Sequence, residues 1–253
     1  GKDYYIHDTS FQNIDQTDKH HSLRSDGETD LAIFQKKALF IPKQDTPPST
    51  YISIALPDPD DPHITEKLYK IISDPNIAPQ IRKNAQSMFI ELDDKAVAFL
   101  IKCIRSHSFF KSLHFPSRYI RAFDTKLFPI LSQEIRTERD DFTRAKFVLF
   151  LKHCRNKEAV IHFTRKVIHE KPGKFTLTAA LSILSDLNDI DSEHLFMKFL
   201  QHKEPIVVLN ALSAVTKFKY ESAIPILTNL LSHSYYAIRD NAASALLNFG
   251  DTA

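Results

Sequence analysis

The sequence predicts an all-α chain: a right-handed α-solenoid of about six helix pairs, preceded by an extended N-terminal arm. Three observations carry that expectation. First, the C-terminal region is one unit written twice. His202-Lys203-Glu204-Pro205 through Ala214-Val215 aligns with His233-Ser234-Tyr235-Tyr236 through Ala245-Leu246 at a constant offset of 31 residues. A fixed period of this size marks helical repeats. Second, apolar residues recur three and four apart through most of the chain, as amphipathic helices require. Third, the 253 residues include only 4 glycines but are 43% hydrophobic. That leaves little turn chemistry for an all-β domain and excludes glycine-rich phosphate loops.

Residues 1–63 read as the arm. They hold His20-His21, Pro47-Pro48 and the acidic proline run 57–62. Such composition favours a polar extension. Two apolar stretches, 38–41 and 51–56, interrupt it. The second alternates and is β-branched, so it is expected to be extended. The arm as a whole is expected to pack along the solenoid and cover the open face of the first pair. The pairs are expected at 64–92, 94–123, 125–155, 157–188, 191–219 and 222–250. The first pair divides into helices at 65–72 and 78–92. In the second they fall at 95–104 and 117–123, and in the third at 127–135 and 143–154. The fourth pair opens with a helix over 157–170. Lys171-Pro172-Gly173-Lys174 ends it, since proline and glycine both oppose continuation. Its second helix contains Ala180-Leu181-Ser182-Ile183-Leu184, which lies 31 residues before Ala211-Leu212-Ser213-Ala214-Val215. Gly1 in place of Met points to a processed or engineered start. No polar cap follows Phe249-Gly250-Asp251, so the array is expected to continue beyond this chain.

Ile81-Arg82-Lys83-Asn84-Ala85 in the first pair returns as Ile238-Arg239-Asp240-Asn241-Ala242 in the last. This apolar-Arg-x-Asn-Ala pattern resembles the HEAT-repeat family, in particular the short bacterial type related to phycobilisome-lyase repeats, over about residues 64–253. In the fifth pair Val208 stands where the Arg would be. The resemblance implies that second helices line the concave side of the solenoid. Arg82 and Arg239 also read as structural, each tying one repeat to the next. Ala211, Ala214, Ala242 and Ala245 are small where adjacent helices are expected to meet. Replacing Ala242 with Phe should overpack that seam and cost about 1–3 kcal/mol, read as a lowered midpoint of thermal unfolding.

Chemistry-bearing motifs are few. His169-Glu170 is a lone His-Glu dyad, whereas deoxyhypusine hydroxylase, a HEAT-repeat enzyme, needs several. His162 and His169 share a helix face, but no His-Glu-x-x-His or Cys-x-x-Cys spacing accompanies them. HEAT-like DNA glycosylases line their groove with tryptophan, and this chain has none. An enzyme, a metal site and a cofactor are therefore not expected. Cys103 and Cys154 read as free thiols on different repeats.

Charge is the better functional clue. Residues 1–100 carry a net −5, residues 101–175 a net +10, and residues 176–253 a net −3. Arg82, Lys83, Arg118, Arg121, Arg144 and Lys146 are expected to form a basic ladder along the concave face. The expected function is a non-enzymatic scaffold or adaptor that holds a protein partner, of acidic character where it meets the ladder. The alternative is nucleic-acid binding through the basic middle repeats. A glycosylase-like or bilin lyase-like enzyme comes third. No apolar run is long enough to span a membrane. The cytoplasm is the favoured compartment, with the soluble part of an anchored or exported protein as the alternative.

Overall fold

The computed structural model describes residues 52–106 and 121–250. Among these residues there are eleven α-helices: α1 (Ile64–Ser73), α2 (Pro79–Glu91), α3 (Asp94–Arg105), α4 (Asp124–Thr137), α5 (Asp141–Phe150), α6 (Lys157–His169), α7 (Lys174–Asp186), α8 (Glu193–Phe199), α9 (Pro205–Phe218), α10 (Ile224–Leu230) and α11 (Tyr236–Phe249). Short 3-10 turns precede α4, α8 and α10 and follow α5. The described residues form an all-helical repeat solenoid.

Local chemistry sets the helix boundaries. Asp140 accepts the Thr143 N–H at 2.7 Å and starts α5, and Asn156 accepts the Ala159 N–H at 3.0 Å and starts α6. Both satisfy backbone donors that the first helical turn leaves open. Pro79 and Pro205 occupy the first helical position of α2 and α9, where a missing N–H costs nothing. Lys219 adopts the left-handed conformation that terminates α9.

Helices pair in sequence: α1 with α2, α4 with α5, α6 with α7, α8 with α9, and α10 with α11. The second helices α5, α7, α9 and α11 pack directly side by side, and successive first helices touch far less. The more tightly spaced layer of a curved array lies on its inner side, so these second helices form the inner wall. A single pair cannot bury its apolar stripe, and stacking pairs makes one continuous core. The core runs from Ile64 to Ala245. Ala180, Ala211 and Ala242, each 31 residues after the last, are all fully buried, as are Ala214 and Ala245. Ala242→Phe therefore meets a closed seam between α9 and α11.

One expectation changes. Of the helix expected at 117–123, residues 117–120 lie outside the described residues, and Arg121–Phe123 is a 3-10 turn leading into α4. Of the arm expected to cover the first pair, residues 1–51, with the apolar stretch at 38–41, also lie outside them. Its described part begins at the α1–α2 loop. Ile52 exchanges two backbone bonds with the α1–α2 loop, to Asn76 O at 2.8 Å and from Ala78 N at 3.1 Å. This is an isolated parallel bridge to Ile77. The side chains of Ile52, Ile54 and Leu56 stay exposed. The acidic prolines that follow bond locally instead, with Asp58 and Asp61 accepting the N–H of Asp60 and His63.

Candidate functional site: the inner wall of the solenoid

Counting from the first residue of each second helix places equivalent residues at the same depth. The fourth position is Arg82 in α2, Arg144 in α5 and Arg239 in α11. In every case the guanidinium donates to backbone carbonyls just upstream. Arg82 Nε reaches Ile77 O at 3.0 Å, and Arg144 Nε reaches Ile135 O at 2.7 Å. Arg239 Nη1 reaches His233 O at 2.8 Å and Ser234 O at 2.9 Å. These arginines close the link between the two helices of their own pair, so Arg82 and Arg239 do not act as ties to the next repeat. Arg144 adds one bond outward, to Glu170 at 2.7 Å. The sixth-position Asn210 and Asn241 donate to Ile206 O and Ala237 O one turn earlier, at 2.9 and 2.7 Å. The Arg-x-Asn-Ala signature is thus scaffolding.

Of the residues expected to form a basic ladder, Lys146 does not face the inner surface. Lys83 is exposed and Arg82 is half-buried by its own loop. Arg118 lies outside the described residues, as does the side chain of Arg121. Lys146 is only 5% exposed and turns away from the inner surface. Its ammonium donates to Arg105 O at 3.0 Å, at the C-terminal end of α3, where a cation complements the last carbonyls. It also lies over the Phe142 ring. Burial pushes its pKa below the usual lysine value, and nearby Asp140 and Glu138 partly offset that. The reason is the environment of α5: from Ala145 to Phe150 every residue is buried, so no position there faces open solvent.

The basic middle is largely spent on joining neighbouring pairs. Arg105 binds Glu134 and Glu138, and Lys126 binds Asp93 and Asp94. Arg165 binds the buried Asp189 and, at 3.0 Å, the Ser192 hydroxyl. Arg136 covers the Phe163 ring. Each exposed pair contributes little stability by itself, but each removes a cation from the free surface.

What remains open on the inner wall lies further along the helices. Position nine is Ser87 in α2, Ser182 in α7, Ser213 in α9 and Ser244 in α11, and in α5 it is the buried Leu149. Position thirteen is Asp186, Lys217 and Asn248 in α7, α9 and α11, all exposed. A small polar stripe thus crosses the last three inner helices. The sequence carries its signal in the spacing of Ser182, Ser213 and Ser244, which are 31 apart.

Asp186, the last residue of α7, is exposed, and the protein around it raises its pKa above the usual carboxylate value against the pull of Lys152 and Lys217. Lys152, in the 3-10 turn after α5, is half-buried, and burial pushes its pKa down. Lys217 donates to Ser185 O.

A depression of about 300 Å³ lies between the C-terminal ends of α8 and α10, lined by residues including Leu200, His202, Ile226, Leu230 and His233. His202 and His233 hold repeat-equivalent places, and both accept a backbone N–H through Nδ1, from Glu204 at 3.1 Å and from Tyr235 at 3.0 Å. They act as turn-forming residues. His162 and His169 are exposed on α6. Cys154 is buried and Cys103 half-buried, and the two are not joined in a disulfide; burial raises the Cys103 thiol to about 11, well away from a reactive thiolate. Among the described residues no helix is long and apolar enough to cross a membrane.

No known family model matches the chain, and no curated protein matches it. Among solved structures, the designed armadillo repeat protein YIII(Dq)4CqI superposes with a TM-score of 0.39 and 12% sequence identity, covering 73% of this chain and 99% of the designed one.

Proposed function

We propose that this chain is a non-enzymatic scaffold of HEAT-like repeats, which holds a segment of a protein partner in the groove made by α7, α9 and α11. One observation carries the reading. The inner helices, packed side by side, present a repeated small polar stripe of half-buried Ser182 and exposed Ser213 and Ser244. Short side chains let another chain come close to the helices. The HEAT-like character rests on the Arg of position four, which repeats the same carbonyl contacts in α2, α5 and α11.

The engaged cations also favour this reading over nucleic acid. Arg105, Lys126, Arg144 and Arg165 are paired with carboxylates, which leaves less free positive charge for phosphates. A nucleic-acid complex would weaken by orders of magnitude between low and moderate salt.

The test is selection of short peptides on the wild-type chain, followed by binding to a double variant, Ser213→Tyr with Ser244→Tyr. Both positions are exposed, so the fold tolerates the change while the groove fills. Selected peptides should lose about tenfold or more in affinity, equivalent to about 1.4 kcal/mol. Equal binding to both proteins would overturn the groove.

A further inference from the structure

The two ends of the solenoid differ. Past Pro79, the exposed positions of α2 are Gln80, Lys83, Asn84, Ser87 and Glu91, and neither α1 nor α2 exposes a large apolar side chain. Such a polar face is what a terminal repeat requires in water. The last pair is the opposite: Leu231 is 40% exposed, Tyr236 49% and Leu247 83%. The repeat shows what covers this surface one unit earlier. Leu195, Leu200, Val208, Leu212 and Val215 of the α8–α9 pair are each at most 3% exposed. The following pair lies on that side, with α11 packed directly on α9. Their equivalents 31 residues on, Ile226, Leu231, Arg239, Ala243 and Leu246, are all open in part. Charge is also missing from the last pair. Residues 224–249 hold one acid and one base, Asp240 and Arg239, in a chain that is 25% charged. The preceding pair holds five charged side chains over 193–218, although more of it is buried. An exposed surface with apolar side chains and little charge has the composition of a protein contact.

We propose that this face is a dimer interface, in which α10 and α11 of one copy stack on α10 and α11 of a second copy. The contact repeats in trans what α10–α11 does to α8–α9 within the chain. Two observations select a second copy in this arrangement. The exposed side of α2 is polar, so copies do not join head to tail, and a patch that meets itself about a two-fold axis closes after two copies. Self-contact must also avoid bringing like charges together. This face carries one charge of each sign, both half-buried, and Arg239 is already turned to its own loop carbonyls. The dimer face is separate from the groove and does not rest on it. Helices of 7 and 14 residues make a contact at the small end of specific interfaces, so the dimer is expected to dissociate in the micromolar range.

Sedimentation equilibrium from micromolar to near-millimolar protein tests this. The wild-type mass should rise from 29.1 kDa to about twice that and stop there. Leu231→Glu with Leu247→Glu should stay monomeric, because two-fold stacking would bury four unpaired carboxylates in one apolar contact. Leu247→Glu alone should weaken dimerisation about tenfold or more. At 83% exposure this side chain has little to lose within the monomer, so the single variant carries the test even where the double one folds poorly. Ile54→Glu, at an exposed apolar residue ahead of α1, should leave dimerisation within about twofold, as surface substitutions away from a contact do. A wild type that stays monomeric, a mass that climbs past two copies, or wild-type association by Leu247→Glu would each overturn the assignment. Equal loss in Ile54→Glu would do the same, since it would mark unspecific apolar association.

Discussion

Phe147→Ala should destabilise the chain by about 3–5 kcal/mol and split its unfolding in urea into two transitions. Phe147 is fully buried and occupies the seventh position of α5. The seventh position of the other described second helices is Ala85, Ala180, Ala211 or Ala242, each fully buried. By repeat register alone, alanine would be the conforming residue at 147. The surroundings of α5 reverse that expectation. Besides its neighbours α4 and α7, α5 packs against the first helix α3, and Arg105 from α3 lies over the Phe147 ring at 5.4 Å from the centroid. A wider gap is filled there by a wider side chain. Alanine would leave a cavity that neighbouring helices, each held by its own pair, cannot close. Because a solenoid couples only adjacent units, the loss falls on one junction. The pairs before it should melt at lower urea than α7 to α11, and hydrogen exchange in α1 to α3 should accelerate first. One transition at the wild-type midpoint would show that Phe147 does not carry the junction.

Gly173→Ala should cost about 2 kcal/mol, although Gly173 has a backbone conformation open to any residue (φ −62°, ψ 168°). The cause is an unusual cap. Asp141, the first residue of α5, accepts the N–H of Phe175 at 2.8 Å and of Thr176 at 3.3 Å at the start of α7. The Thr176 hydroxyl donates back to Asp141 O at 3.1 Å. One repeat thereby caps the next. A Cβ on Gly173 would lie 2.3 Å from Asp141 Cγ and 2.4 Å from Oδ2, so the carboxylate must leave. Loss of a helix cap costs about 0.5–2 kcal/mol, and separation of the joined helix ends adds to it. Asp141→Ala should lose the same cap without a clash. The double variant should then be little worse than either single one, because both substitutions remove one contact. Additive losses measured by chemical denaturation would refute that account.

Much of the architecture was legible before any coordinates. The 31-residue offset between 202–215 and 233–246 set the register of α9 and α11 and extended to α7 through Ala180 and Ser182. These helices carry their own instructions: Pro205 at a helix start, apolar residues on the core side, small residues at the seam. The arginines of position four were legible as a pattern, but their role was not. A guanidinium can bridge to the next repeat or fold back on its own loop, and only the positions of the Ile77, Ile135, His233 and Ser234 carbonyls choose between these. The groove was half legible. Ser182, Ser213 and Ser244 follow the period, whereas Leu149, which closes the same line in α5, stands outside it.

By itself, then, the sequence determined the helical class, the period and the phase of the inner helices, because those follow from interactions between residues three, four and thirty-one apart. Tertiary structure decided which charges are free. Lys83 and Lys146 read alike as members of one ladder. Lys83 stays exposed, and Lys146 finds the carbonyls at the end of α3. Whether a cation is satisfied depends on the acceptors that distant segments bring within about 3 Å, and no local pattern encodes that distance.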